Sequence, residues 1–177
     1  MVRLTLQTGC AGGGRGSGGG GGYGGGMPSA HFRAGVVIVV RHPDTHDVLA
    51  FERFDARGHW QLPQGGLRDG ETPIEGAWRE MLEETGLDEH DVELVSEHPE
   101  WLAYEWPLEV QRAKGGMHHR IGQVQRWFTF HARSSDLAPT PDGTEFVAWK
   151  WVTPEWLIDH VPGWRRGPYQ VVLGQHR

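Results

Sequence analysis

The chain lacks the features that mark secreted, membrane-spanning and broadly nucleic-acid-binding proteins. Cys10 is its only cysteine, which excludes an internal disulfide and a multi-thiolate zinc site and favours a reducing cytoplasm. No apolar run reaches membrane length, and we expect no signal peptide because Leu4 and Leu6 do not form its apolar core. The formal net charge of −6 is not that of a general nucleic-acid binder, so stable DNA binding is not expected and contact with a polyanion must be local.

Glycine is abundant but concentrated at one end of the chain. The first 26 residues contain 13 of the 27 glycines. Such a segment cannot bury apolar surface, so we expect residues 1–26 to form a disordered tail. Met27 opens a stretch of ordinary composition and is also a candidate for the true start. Residues 27–177 are therefore predicted to form one domain with its own core.

Hydrophobic periodicity predicts a mixture of strands and helices in that domain. β-Branched and aromatic runs predict strands at 34–40, 47–54, 60–62, 92–104, 124–131 and 146–152, with the second as hairpin partner of the first. Helices are predicted at 72–86, at 154–161 after a Thr153 cap, and at 168–173. Because helices follow both early and late strands, we expect an α/β (α+β) fold with helices on both faces of the sheet.

The helix at 72–86 has the clearest sequence signals. Thr72 is placed to cap its N-terminus, Pro73 suits the first turn, and Glu75 completes a capping box. Gly86 stands where a left-handed C-terminal residue is favoured. Four apolar residues recur at helical spacing and predict the buried face: Ile74, Ala77, Trp78 and Met81.

Three carboxylates occupy a different face of the same helix. Glu80, Glu83 and Glu84 repel each other and face the negative end of the helix dipole. A divalent cation would remove both penalties, and clustered carboxylates suit the hard ions Mg²⁺ or Mn²⁺. The alternative is a solvated acidic surface. On the same helix, Glu75 is predicted to act as a cap rather than as a ligand.

Residues 65–87, GGLRDGETPIEGAWREMLEETGL, fit the pattern G-x5-E-x7-R-E-U-x-E-E-x-G-U, where U is a bulky aliphatic residue and Met81 is a soft match. The segment resembles the Nudix box of the Nudix hydrolases. Four further segments, in order, resemble the branch of RNA pyrophosphohydrolases and dinucleoside polyphosphate hydrolases: residues 59–66, 121–128, 144–152 and 164–169. This resemblance implies a Nudix fold, an α/β/α sandwich with a mixed sheet whose box helix carries the metal ligands.

The resemblance also implies roles for individual residues. Glu80, Glu83, Glu84 and Glu145 match metal-binding or catalytic acids, with Glu84 or Glu145 as the base, and the Gly65 carbonyl is a further candidate ligand. The positions matching substrate-binding residues are Arg33, Arg53, Gln64, Trp164 and Arg165. For Arg33 and Arg53 the alternative is an ordinary surface arginine, and for Trp164 a place in the core. Glu71 and Arg79 are predicted to form a structural ion pair.

Three functions are compatible with these motifs. The first is hydrolysis of the 5′-triphosphate end of RNA to a monophosphate, and the second is hydrolysis of dinucleoside polyphosphates such as diadenosine tetraphosphate. The third is a catalytically silent Nudix module that senses a nucleotide, which we disfavour because such a module is expected to lose box glutamates. Residues 107–120 have no clear counterpart in the pattern and are expected to border the substrate. We expect Mg²⁺ as cofactor, a nucleotide or RNA 5′ end as partner, no membrane partner and a cytoplasmic location.

Overall fold

The computed structural model describes residues 31–115 and 119–174. The predicted glycine-rich tail at 1–26 lies outside these residues, as does the beginning of the predicted domain. Both predictions therefore remain predictions.

Eight strands form one mixed sheet with the path β3-β2-β1-β7-β5, while β4 pairs with β1, β6 with β7, and β8 with β2. The strands are β1 (His31–Arg41), β2 (Val48–Arg53), β3 (Trp60–Gln61), β4 (Gln64–Gly66), β5 (Val92–Glu97), β6 (Leu102–Glu105), β7 (Arg120–Ala132) and β8 (Phe146–Val152). Each predicted strand region contains a strand, and 92–104 holds the start of two.

The helical elements are shorter and lie between or after the strands. They are α1 (Pro73–Thr85), a short turn α2 (Leu108–Val110) that continues into a π-helical turn (Gln111–Gly115), α3 (Pro154–His160), a 3-10 turn (Gly163–Arg165) and α4 (Arg166–Leu173). The Thr153 hydroxyl accepts a hydrogen bond from the Trp156 backbone N–H at 3.2 Å, which confirms it as the cap of α3. None of the described helices is long and apolar enough to cross a membrane.

Strands β1 and β7 form the centre of the sheet. They run parallel along their whole shared length, from His31 beside Arg120 to Arg41 beside His131. Both faces are covered, as parallel pairs require. Even-numbered β1 residues such as Ile38 pack against α1, whereas Val37 and Val39 pack in a second cluster with Leu157 of α3 and residues of α4. The predicted α/β/α sandwich is confirmed.

Two pairings refine the sequence-based expectation. The predicted hairpin of β1 and β2 is confirmed at its turn, where Arg41 opposes Val48, but β2 forms its long ladder with β8. The box begins inside a strand that the sequence did not predict, because β4 is built from Gln64 and two glycines of low strand propensity. Its pairing with β1 holds it in place, which fixes Gly65 beside Val36.

Candidate active site

Helix α1 begins and ends where its sequence signals place it. The Glu75 carboxylate accepts hydrogen bonds from the Thr72 backbone N–H at 2.9 Å and from its hydroxyl at 2.6 Å. Glu75 therefore acts as a cap, as predicted. Gly86 adopts the left-handed conformation with φ 73°, and its N–H bonds to the Leu82 carbonyl. These caps define the last turn, from which the acids project.

An ion pair fixes the loop before α1 to the helix. Arg79 donates to both Glu71 oxygens, at 2.6 and 2.8 Å, and to the Gly66 carbonyl at 3.0 Å. The hydrogen bonds from Arg79 lower the pKa of Glu71 to about 2. The predicted structural ion pair is confirmed, and it joins three parts of the box through one guanidinium group.

Glu84 is the buried acid of the site. Its side chain accepts a hydrogen bond from the Gln64 backbone N–H at 3.0 Å, and only 8% of the residue is exposed. Burial raises its pKa to about 9, with further contributions from the like charges of Glu80, Glu145 and Asp142. Within the described ranges no cationic side chain forms a salt bridge with it. The fold therefore brings four acids near one another: Glu80, Glu84, Asp142 and Glu145. Glu84 is the most buried of them and forms no salt bridge with a cationic side chain among the described residues.

Glu80 and Glu83 are partly neutralised by arginines. Arg79 contacts Glu80 at 2.6 Å and Glu83 at 3.2 Å, and Arg68 contacts Glu83 at 2.9 Å. With the side chains so placed, no three acids or histidines among the described residues already converge as a metal site. The donors nevertheless suit a hard divalent cation, because all are carboxylate oxygens around a buried acid that needs positive charge.

Glycine is required where the box loop meets these acids. A Cβ on Gly65 would overlap the Glu80 carboxylate, and a Cβ on Gly35 of β1 would overlap the Gly65 carbonyl oxygen. The loop is therefore pressed between α1 and β1. The Gly65 carbonyl, a candidate ligand from the sequence, lies against β1.

Glu145 reaches the acids from the turn before β8. The Asp142 carboxylate accepts hydrogen bonds from the backbone N–H groups of Thr144, Glu145 and Phe146 at 3.1, 2.9 and 3.1 Å. The Asp142 N–H in turn donates to the Glu84 carbonyl at 3.3 Å. This turn presents Glu145 to Arg53, whose Nη1 lies 3.1 Å from the carboxylate.

An open cleft of about 680 Å³ adjoins the acids, and we call it the arginine cleft. Four arginines line it, Arg33, Arg53, Arg120 and Arg165, against one acid, Asp55. Asp55 forms a salt bridge with Arg53 at 2.6 Å. The Nε atoms of Arg120 and Arg165 are buried without a hydrogen-bond partner among the described residues. The chain is acidic overall, yet this surface is locally basic, and the Nε–H groups of Arg120 and Arg165 have no acceptor within the described ranges.

Aromatic and amide groups fix the cleft wall. Trp164 is half-buried, with its ring 5.3 Å from Tyr104 and 4.8 Å from the Arg165 guanidinium carbon. Arg165, 7% exposed, donates to the Gln61 side-chain oxygen. With its side-chain oxygen turned toward Arg165, Gln64 accepts from both guanidinium Nη atoms at 3.2 Å. Trp164 thus lines the cleft and contacts Tyr104 and Arg165.

The fold brings the sequence-predicted residues into two adjoining groups. The box acids, Glu145 and Gln64 lie beside the arginine cleft, which the remaining four substrate candidates line: Arg33, Arg53, Trp164 and Arg165. Val110 and Arg120 also line it, and the expectation that residues 107–120 border the substrate stays a prediction.

Three neighbouring residues were not predicted from the sequence as part of the site. Asp142 had a readable signal, since Asp before Gly and Thr favours a side-chain-capped turn. Gln61 connects Arg165 with the Arg53 side of the cleft, and Arg120 enters the cleft from the start of β7. Neither has a local pattern that distinguishes it from an ordinary strand residue.

Comparison with known proteins places the chain in a family. The NUDIX domain model matches residues 31–172, and the chain belongs to the Nudix family. It is 38% identical over 136 residues to Nudix hydrolase 25 of Arabidopsis thaliana, covering 71% of this chain and 75% of that protein. It is 35% identical over 151 residues to an RNA pyrophosphohydrolase of Zymomonas mobilis, covering 84% and 97%. The protein is therefore a Nudix hydrolase.

A solved structure supports the fold independently. The E. coli dihydroneopterin triphosphate pyrophosphohydrolase superposes with a TM-score of 0.64 at 21% identity, over 82% of this chain and 98% of that one. At this identity the similarity concerns the fold alone.

Proposed function

We propose that this protein hydrolyses a phosphoanhydride bond at the 5′-triphosphate end of RNA and leaves a monophosphate. The observation that carries the proposal is the junction at Arg53, which lines the arginine cleft and also forms a salt bridge with Glu145 beside the box acids. A phosphate chain held by the arginines would therefore extend toward the acids. The 35% identity to an RNA pyrophosphohydrolase over nearly its whole length favours RNA as the substrate.

The proposed metal ligands are Glu80, Glu83, Glu84 and Glu145, with Mg²⁺ as the ion and Mn²⁺ as a substitute. When bound, the ion supplies positive charge for the phosphate chain and lowers the pKa of water. Glu80 and Glu83 would exchange contacts with Arg79 and Arg68 for the cation. The Gly65 carbonyl, which lies against β1, would contribute only through its free lone pair.

The proposed base is Glu145, with Glu84 as the alternative and Glu83 as a supporting catalytic acid. The Glu145 side chain is 40% exposed and held by the Asp142 turn, so it can take a proton from an attacking water. Glu84 is buried and bonded to the Gln64 N–H, which suits a fixed ligand better than a group that exchanges protons with water.

The proposed substrate contacts divide between charge and stacking. Arg33 and Arg53 bind the phosphates nearest the acids, and Arg165, beside Gln64, binds further along the chain. Trp164, which lines the cleft, stacks on a base of the substrate. We also propose a cytoplasmic location, which the single cysteine favours.

The test compares two substrates at equal concentration with Mg²⁺. We expect kcat/KM for a short triphosphorylated RNA to exceed that for diadenosine tetraphosphate by about tenfold or more, a difference of about 1.4 kcal/mol in transition-state binding. A preference for the dinucleotide would assign the alternative hydrolase activity. Binding of either substrate without turnover would contradict hydrolysis and point to a nucleotide sensor.

A further inference from the structure

A second cleft lies at the other end of β1. It has a volume of about 660 Å³ and contains Arg41 together with four histidines, His42, His46, His98 and His131; we call it the histidine cleft. Arg33 of the arginine cleft and Arg41 are eight residues apart on one strand, or roughly 26 Å at about 3.3 Å per residue. The two clefts are therefore separate sites.

Arg41 is the unusual member of this cleft. The residue is only 8% exposed, and its Nη1 atom is buried without a hydrogen-bond partner. Across residues 31–115 and 119–174 no side chain forms a salt bridge with its guanidinium group, and burial lowers its pKa. A buried charge without a counter-charge is costly, so the position favours a bound anion that accepts its hydrogen bonds.

The neighbouring groups add further donors. His131 lies directly beside Arg41 in the parallel pairing of β1 and β7, so both side chains leave the same face of the sheet. The His42 ring instead lies against Trp151 of β8, with 4.8 Å between the ring centroids, and Trp151 packs on the face of the sheet that α1 covers, so His42 is not one of these donors. Two acids also line the cleft: Glu97 forms a salt bridge with Arg126, and Asp44 is exposed.

We propose that the histidine cleft binds a phosphate group through the Arg41 guanidinium, with His131 as an additional donor. The planar fork of arginine matches the oxygens of a phosphate, and a histidine ring N–H donates to the same oxygens. The volume falls within the range of small-molecule sites, about 300–1,000 Å³, so free phosphate and the phosphate of a nucleotide both fit. The proposal does not depend on the reaction proposed above.

The test is a titration of the ¹⁵N-labelled full chain, followed through the arginine Nε–H and histidine ring signals by NMR. Inorganic phosphate and AMP are added separately without divalent cations. We expect saturable shifts at Arg41 and His131, independent of those at Arg53 and Arg165. Tighter binding of AMP would identify a nucleotide as the source of the phosphate, whereas equal affinity would identify free phosphate.

Arg41→Met keeps the buried aliphatic volume and should weaken phosphate binding in the histidine cleft by about tenfold or more, since hydrogen bonds to charged groups are the stronger ones. Arg133→Met removes the same charge from an exposed position and should leave binding unchanged. If Arg41→Met fails to fold, His131→Asn provides the test on an exposed side chain, with an expected loss of about 2- to 10-fold. Histidine-cleft signals that do not move with phosphate, or binding that survives these substitutions, would overturn the proposal.

Discussion

The acids and the arginines of the active site are assembled in different ways. Three of the four proposed ligands come from one turn of α1, whereas the arginines come from β1, the end of β2, the start of β7 and the turn before α4. The acids are held by local features, namely the capped helix and the Arg79 brace. The arginines depend on the sheet and on single contacts such as that between Arg165 and Gln61.

The acids and the arginines also differ in their effect on the stability of the empty site. The acids repel each other and Glu84 is buried, so the site is least stable when no cation is bound. The arginines are partly paired with Asp55, Glu145 and Gln61, so the cleft is stable before substrate arrives. Substitutions among the acids should therefore affect turnover first, and substitutions among the arginines should affect substrate binding first.

The largest expected effect is on turnover. Glu83→Gln should lower kcat by about 100-fold or more in Mg²⁺, because it removes a charged ligand from the reacting centre. Glu75→Gln changes the same chemical group on the same helix but touches only the cap, and its kcat should stay near that of the wild type. Equal activity of the two variants would remove Glu83 from the metal site.

A positioning residue should give the next effect. Asp142→Ala frees the turn that presents Glu145, and kcat should fall by about 10- to 100-fold with little change in KM, as for other outer-shell partners. Asp136→Ala, on an exposed loop, is the control. A change in KM alone would show that the turn shapes the cleft rather than the acid.

Substitution of Arg120 tests whether the arginines of the cleft act mainly in substrate binding. Its buried Nε has no hydrogen-bond partner among the described residues, so Arg120→Met should raise KM for triphosphorylated RNA by about tenfold while kcat remains within twofold. Arg57→Met, an exposed arginine paired with Glu52, should change neither constant. A loss of kcat at unchanged KM would contradict the division of roles.

Thermal unfolding in a chelator tests whether Glu84 destabilises the fold when no metal is bound. Folding raises the pKa of Glu84 to about 9, so at pH 7 this carboxyl costs stability that a non-ionising Gln does not, and the Tm of Glu84→Gln should exceed that of the wild type by about 3 °C without metal. Added Mg²⁺ should raise the Tm of the wild type and not that of the variant. A lower Tm for the variant in chelator would mean that the carboxylate is stabilised by the protein itself.

The smallest effect concerns acid stability. Folding lowers the pKa of Glu71 from its ordinary value of 4.5 to about 2, so its pairing with Arg79 stabilises the fold above pH 4.5. That stability is lost as the pH falls from 4.5 through 2. Glu71→Gln should be less stable than the wild type at pH 7 and show a flatter decline in the free energy of unfolding over this interval. Parallel curves would contradict the lowered pKa.

The same comparison explains what the sequence could predict. The box acids, the Glu75 cap and the Glu71–Arg79 pair lie within one helix and its approach, where spacing along the chain determines spacing in the structure. Arg120 and Gln61 approach Arg165 only because β7, β3 and the turn before α4 all border the arginine cleft. No local pattern carries that information, and the lack of a partner for Arg41 Nη1 within the described ranges depends on its surroundings in the same way.

The most direct test follows the 5′ end of a triphosphorylated RNA in the presence of Mg²⁺. We predict conversion to the monophosphate by the wild type, complete loss of conversion in excess chelator, and loss of about 100-fold or more in Glu84→Gln with the fold retained. Conversion that persists in chelator, or at the wild-type rate in Glu84→Gln, would contradict the claim that the buried box acid holds the metal beside the arginine cleft.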